Sequence, residues 1–315
     1  MARAGGSDPK APGERSLRPP GPKRLQELLR EHFREIEERY EEEFPRLEVG
    51  LTTGFPELDV ACGGLHPGRL VLLVGRPGSG KTTVASAVAR RFARETGLGV
   101  VFFSLQSDRG ELLHRLMAAE GRVSHRRLAT DLEDDDWPKL TRAAGALAPL
   151  PLYVDDRPEL RPEEIDQAVA GLAAEVPVRL AVVDHLALLG GGARFGPVQA
   201  GARAAVQYLA RVARERDVCM LLVAELTGSP ASLEDTRPSV SHLAYLGLSG
   251  RETGAVWLLD RSSEPAAGPR EEGLVRVETF VPGTGLRGQA SLVLCPETLE
   301  ARGMLPFEAD KRLAH

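Results

Sequence analysis

The sequence predicts an α/β fold, a mostly parallel sheet with helices on both faces and an antiparallel extension toward the C-terminal end. Three observations carry this. Short apolar runs of strand length alternate with longer segments of helical period along most of the chain. The first such run, Leu70 to Val74, leads through a glycine-rich turn into a helical segment, and a later one, Arg179 to Val183, closes on the carboxylate Asp184. The last three runs, near 256–259, 274–281 and 291–294, follow one another through short connections, as antiparallel strands do.

Taken in order, residues 1–22 are rich in Gly, Pro, Arg and Ser and predict a disordered tail. Over 23–46 the pattern changes: Leu25, Leu28, Leu29, Phe33, Ile36, Tyr40 and Phe44 recur at three- and four-residue intervals, an amphipathic helix that Pro45 ends. Its stripe needs cover, either from its own domain or from a neighbouring subunit. Residues 47–300 read as one α/β domain and 301–315 as a C-terminal tail. Within the domain, 47–69 is turn-rich, and a helix over 82–96 precedes a buried strand over 100–105. Helices follow at 109–121, near 124 and at 134–148, then a strand at 152–154 and a helix at 162–175. The strand over 178–183, a helix over 198–216 and a strand over 218–224 lead to the three late strands.

Composition narrows the class. A hydrophobic share of 42% over 315 residues is ample for a core, and a net charge of −5 excludes a diffusely basic surface, so any nucleic-acid contact has to come from a local patch or a pore. Cys62, Cys219 and Cys295 are far apart without C-x-x-C spacing, which predicts buried reduced thiols. No apolar run approaches the roughly 18 residues of a membrane span, and the N-terminal stretch lacks a signal-like apolar core. The expectation is a cytoplasmic protein with no membrane partner.

The chemistry concentrates in Gly75-Arg76-Pro77-Gly78-Ser79-Gly80-Lys81-Thr82, a full match to the P-loop pattern G-x-x-x-x-G-K-[ST]. Glycines let the backbone curl until several N–H groups point at one anion, and the following helix adds its positive end. Residues Gly75 to Thr83 are thus expected to cradle the phosphates of ATP. Lys81 is placed to reach the β- and γ-phosphates, and Thr82 to take one position on Mg²⁺. Asp184 fits the Walker B aspartate that holds the same ion, because ligands in such sheets bind at the carboxyl ends of the strands.

These segments resemble the C-terminal motor domain of DnaB-type replicative helicases, a RecA-like ATPase, over about residues 49–300. The likeness runs through Thr53-Gly54-Phe55 with Leu58-Asp59, Gly64-Leu65 with Pro67-Gly68, and the P-loop. It continues in Phe103-Ser104-Leu105, Ala119-Glu120-Gly121-Arg122-Val123, Asp136-Trp137, Pro151 to Asp156, and Val183-Asp184. It implies ATP and Mg²⁺ as cofactors, single-stranded DNA as partner, a homo-oligomer such as a hexameric ring, and a role in DNA replication. The 23–46 helix occupies the place of the family's linker helix, and the family's N-terminal domain is expected to be missing.

Several positions depart from the family. Gln106 stands where the family carries a glutamate thought to activate the attacking water, and an amide cannot take up that proton. Glu225, in Ala224-Glu225-Leu226, stands where the family carries glutamine, so the two are exchanged relative to the family; Glu225 is either a substitute base or a loop carboxylate with a local hydrogen bond. The resemblance implies that the strand ending at Ala224 lies between the P-loop and Walker B strands, with Gln106 on a more distant one. Lys81, Glu225 and Gln106 are the candidate catalytic residues. Ala244 and Tyr245 replace an Arg and a Glu of the family's DNA-contacting loop, and the 277–283 strand lacks the cations sent into a neighbour's ATP site, although Arg287 lies just beyond. Arg194, in a Gly-rich stretch, either serves DNA or is merely solvated. Two functions remain open at this level: a ring-forming ATP-driven DNA motor, and a degenerate nucleotide-binding relative acting in assembly or regulation.

Overall fold

The computed structural model describes residues 50–189, 198–226, 239–246, 248, 253–261, 273–282, 285 and 287–304. The chain divides into two units, Met1–Leu47 and Glu48–His315, and everything described lies in the second. The expected tail, the 23–46 helix and Arg194 lie outside the described residues.

Nine strands form a single sheet: β1 Leu70–Gly75, β2 Gly99–Ser104, β3 Leu152–Asp155, β4 Val178–Asp184, β5 Cys219–Glu225, β6 Ala255–Arg261, β7 Gly273–Phe280, β8 Arg287–Leu294 and β9 Ala301–Gly303. Their spatial order is β3-β2-β4-β5-β1-β6-β7-β8-β9. The first six in that order run parallel, and β7 to β9 are antiparallel. The helices are α1 Pro56–Cys62, α2 Lys81–Thr96, α3 Arg109–Gly121, α4 His125–Ala129, α5 Asp136–Leu147, α6 Pro162–Ala173 and α7 Val198–Arg216.

The central strands are buried on both faces, which is why they read as continuous apolar runs rather than alternations. In β1, Val71 and Leu73 point into a core shared with Phe55, Val84, Val88, Phe92 and Leu112, from the α1, α2 and α3 side. Leu70, Leu72 and Val74 point the other way, to Ile165 and Val169 of α6 and Val206 and Leu209 of α7. The two sets of helices therefore clamp β1, and with it the loop that β1 feeds.

Four details differ from the sequence reading. The late extension is antiparallel, but its first strand, β6, pairs parallel with β1 in register Val71↔Ala255 to Gly75↔Leu259. Residues 301–303, placed in a tail, form β9 against β8. The turn-rich 47–69 stretch contains α1, a helix too short for its period to show. It is held by Asp59, whose carboxylate accepts from Thr52 Oγ1 at 2.7 Å and from the Thr53 N–H at 2.7 Å. It lies so close on β8 that a Cβ at Gly288 would meet the Ala61 carbonyl oxygen at 2.0 Å. Finally, Cys62 and Cys219 are buried, with burial pushing each thiol up to about 12, but Cys295 is only half-buried because it opens the turn between β8 and β9.

Candidate functional site

The loop after β1 is shaped by its glycines. Gly75 has no room for a side chain, since a Cβ would lie 2.5 Å from Ser79 Oγ and 2.9 Å from the Leu259 carbonyl oxygen. Gly78 and Gly80 take φ of 72° and 96°, the left-handed region where glycine is unstrained. Gly80 caps α2 without a side-chain acceptor, and the first turn of α2 carries no acidic residue, so its positive end is unneutralised. The Lys81 ammonium donates to the Arg76 carbonyl oxygen at 2.7 Å, which folds the loop over its own lysine. Thr83 is buried behind it, its carbonyl accepting from Ser86 Oγ at 3.1 Å. Ser79 Oγ is buried with no hydrogen-bond partner among the described residues.

Strand order brings the other groups to this loop. Because β5 lies between β1 and β4, Glu225 stands beside Gly75 in register, and the Leu226 N–H donates to the Gly75 carbonyl oxygen at 3.0 Å. Glu225 Oε2 is 3.5 Å from Lys81 Nζ. Asp184 ends β4, one strand further, and the Thr82 hydroxyl lies near enough to its carboxylate to favour the charged form. Burial lowers the Lys81 pKa below the usual lysine value, against the opposing pull of Glu225 and then Asp184.

Lys81, Thr82, Asp184 and Glu225 are therefore brought together, and Gln106 follows the strand beside Asp184, in register Ser104↔Asp184. It lies two residues past β2, beyond β4 in the sheet, and its side chain is exposed. Leu105 just before it is tied down, donating its N–H to the Asp184 carbonyl oxygen at 2.7 Å. Arg287 begins β8, exposed, with its guanidinium 5.5 Å from the Phe280 ring centroid. Ala244 and Tyr245 fall on a 3-10 helix, Val240–Leu246, and their side chains lie outside the described residues.

Two neighbours went unread in the sequence. A cavity of about 240 Å³ opens between Arg76 to Ser79 of the loop and Leu259, Asp260 and Arg261 at the end of β6. The only local signal was that two charged residues close an apolar strand. On α3, Arg115 lies near enough to act on Asp184 electrostatically and is itself paired with Glu111 at 2.7 Å.

The oxygen groups suit a magnesium ion. Asp184 is 4% exposed, yet its Oδ1 has no partner among the described residues, and its other neighbour is a hydroxyl, a set of hard oxygens. Among the described residues no group of three or more His, Cys, Asp or Glu could form a closed metal cage. Burial pushes the Asp184 carboxyl above the ordinary aspartate range, and the Thr82 hydroxyl and the charges of His185, Lys81 and Arg115 offset this only in part.

A carboxyl whose folded-state pKa exceeds its unfolded value contributes stability that is complete below the unfolded pKa and lost as pH rises through the folded one. Without metal or nucleotide, Asp184→Asn is therefore expected to raise the melting temperature at pH 8. The gain should shrink as pH falls toward the unfolded aspartate value of about 3.9. A wild type more stable than the variant at pH 8, in calorimetric scans, contradicts this reading of the site.

A sequence model of the DnaB-like helicase C terminal domain matches residues 50–278. The replicative DNA helicase DnaB of Leifsonia xyli subsp. xyli (strain CTCB07) is 33% identical over 217 residues, covering 68% of this chain and 47% of that protein. Its counterpart from Geobacillus stearothermophilus is 31% identical over 215 residues, with the same shares. The chain thus spans about half the length of these curated relatives. Among solved structures, a DnaB-like replicative helicase described with its interactions with primase superposes with a TM-score of 0.73 at 21% identity, over 90% of this chain and 68% of that one. A second solved structure, an ATPase domain, gives the same TM-score and identity, over 90% of this chain and 100% of that one. The nine-stranded RecA-like sheet and the family match agree: the chain belongs to the DnaB-like helicase C-terminal domain family.

Proposed function

We propose that this chain is an ATP-driven motor that translocates on single-stranded DNA and unwinds duplex, as a ring-forming cytoplasmic protein of DNA replication. The observation that carries the reading is the convergence of Lys81, Thr82, Asp184 and Glu225 at the carboxyl ends of three adjacent parallel strands. The loop N–H groups and Lys81 bind the β- and γ-phosphates, and the cavity lined by Arg261 gives room beside the loop for the rest of the nucleotide. Thr82 and Asp184 would hold Mg²⁺, which when bound would neutralise charge on the phosphate oxygens. Glu225 takes the proton of the attacking water as the new P–O bond forms and the bond to the ADP oxygen breaks. Gln106, exposed and unable to accept a proton, contributes no base.

The relatives named replicative helicases favour a DNA motor over a nucleotide-dependent assembly factor. The deciding experiment is the steady-state ATPase rate with and without single-stranded DNA. Stimulation is expected; a rate indifferent to DNA sinks the motor reading.

The 23–46 helix, with its apolar stripe, is assigned to the subunit interface. Removing residues 1–45 is expected to lower the mass of the particle in light scattering, toward a monomer. An unchanged mass would place the helix on its own domain.

A further inference from the structure

Away from the nucleotide site, a second cavity of about 260 Å³ opens beside α2, the C-terminal end of α3 and the turn between β8 and β9. Four arginines line it, Arg90, Arg91, Arg94 and Arg122, against three glutamates, Glu95, Glu120 and Glu300. The cations outnumber the anions, and one carboxylate is shared: Glu120 accepts from both Arg90 and Arg94, the latter at 2.9 Å. Glu300 pairs with Arg122 at 3.3 Å. Arg91 is committed to the backbone, donating to the Gly54 and Ala301 carbonyl oxygens, each at 3.1 Å.

Arg90, buried, and Arg91, half-buried, each keep one unpaired guanidinium N–H among the described residues. Arg90 is 5% exposed, yet its Nε has no partner among the described residues, and the same holds for the Nε of Arg91. Buried polar groups are nearly always paired, and a buried cation without full compensation is costly. Burial also holds the Arg90 pKa below the ordinary arginine value, which Glu120 only partly reverses. Arg122 reaches the cavity from the left-handed cap of α3, at φ 52°, a position where glycine is the unstrained choice. Arginines on two elements, facing one concave space, match the several acceptor oxygens of a tetrahedral anion.

We propose that this cavity is an anion site for a phosphate or diphosphate group, separate from the P-loop. Arg94 and Arg122 form its accessible wall and Arg90 its buried one. Arg90 follows Lys81 by nine residues on α2, so the two sites stand roughly 13 Å apart along one helix at about 1.5 Å per residue. The ligand is free phosphate or diphosphate, or the phosphate end of a small metabolite; the chemistry recognised is the same.

The test uses the full chain carrying Lys81→Ala, which removes the P-loop lysine, titrated with pyrophosphate by calorimetry at low salt. One saturable site is expected, weakened at least tenfold by adding Arg94→Gln and Arg122→Gln. These side chains are 38% and 71% exposed, so their loss leaves the core intact. Adding Glu300→Gln instead should tighten binding, because it frees Arg122 from its competing carboxylate. ATP affinity of the otherwise wild-type chain should be unchanged by the two arginine substitutions. Adenosine monophosphate run beside pyrophosphate assigns the source: tighter binding of the nucleotide points to a metabolite, tighter binding of pyrophosphate to the free anion. Absence of saturable pyrophosphate binding in the Lys81→Ala chain, or binding that ignores Arg94 and Arg122, overturns the proposal. Neither outcome bears on the nucleotide site.

Discussion

Lys81→Ala is expected to abolish ATP binding at ordinary concentrations while leaving the protein folded. Lys81 is the cation of the loop that faces the phosphate cradle, held there at 2.7 Å from the Arg76 carbonyl and 3.5 Å from Glu225. A hydrogen bond to a charged group contributes about 1.5 to 3 kcal/mol, so losing contacts to two phosphates costs about 10² to 10⁴ in affinity. The variant also leaves Glu225 and Asp184 facing the incoming phosphates without a cation between them, which acts in the same direction. The fold should survive, because the sheet beneath the loop is clamped by apolar contacts from both faces and not by this lysine. Titration calorimetry reads the affinity, and a cooperative thermal transition shows that the variant is folded. ATP affinity within a few-fold of wild type would defeat the P-loop assignment.

Glu225→Gln is expected to lower single-turnover hydrolysis by about 10²- to 10⁴-fold with ATP affinity retained, and Gln106→Glu to change little. Position decides this more than residue type. Glu225 leaves β5 between the strand that feeds the P-loop and the strand that ends in Asp184, beside both Lys81 and Asp184. Gln106 emerges from β2, on the far side of β4, with its side chain in solvent. If Gln106→Glu instead accelerates hydrolysis and Glu225→Gln leaves it unchanged, the base belongs on β2 and the wild type lacks it. The two variants separate these accounts because each predicts a response where the other predicts none.

Much of the candidate nucleotide site is local and was therefore legible in the residues. The P-loop needs only a strand end, two glycines with positive φ, a lysine and a hydroxyl, all within eight consecutive positions. Asp184 was likewise marked by the apolar strand that it closes. Strand and helix order followed from apolar period, because strands buried on both faces are continuously apolar and the helices covering them are amphipathic.

What the sequence by itself determined is thus the α/β class, the P-loop pattern, Asp184 as the candidate metal carboxylate and the resemblance that led to the family. The tertiary structure alone decided how those pieces meet. Glu225 and Lys81 are 144 residues apart in the chain, and only the order β4-β5-β1 brings them to 3.5 Å. Sequence pattern does not encode which strands are neighbours, since every central strand buries the same kinds of side chain on the same two faces. For the same reason β6 looked like part of the antiparallel extension, until its pairing with β1 placed Arg261 beside the phosphate loop. The arginine cavity was hidden more deeply still. Its charges come from one face of α2, the end of α3 and a turn near the end of the described chain. Along the sequence each reads as an ordinary surface charge, and only packing leaves Arg90 buried and short of a partner.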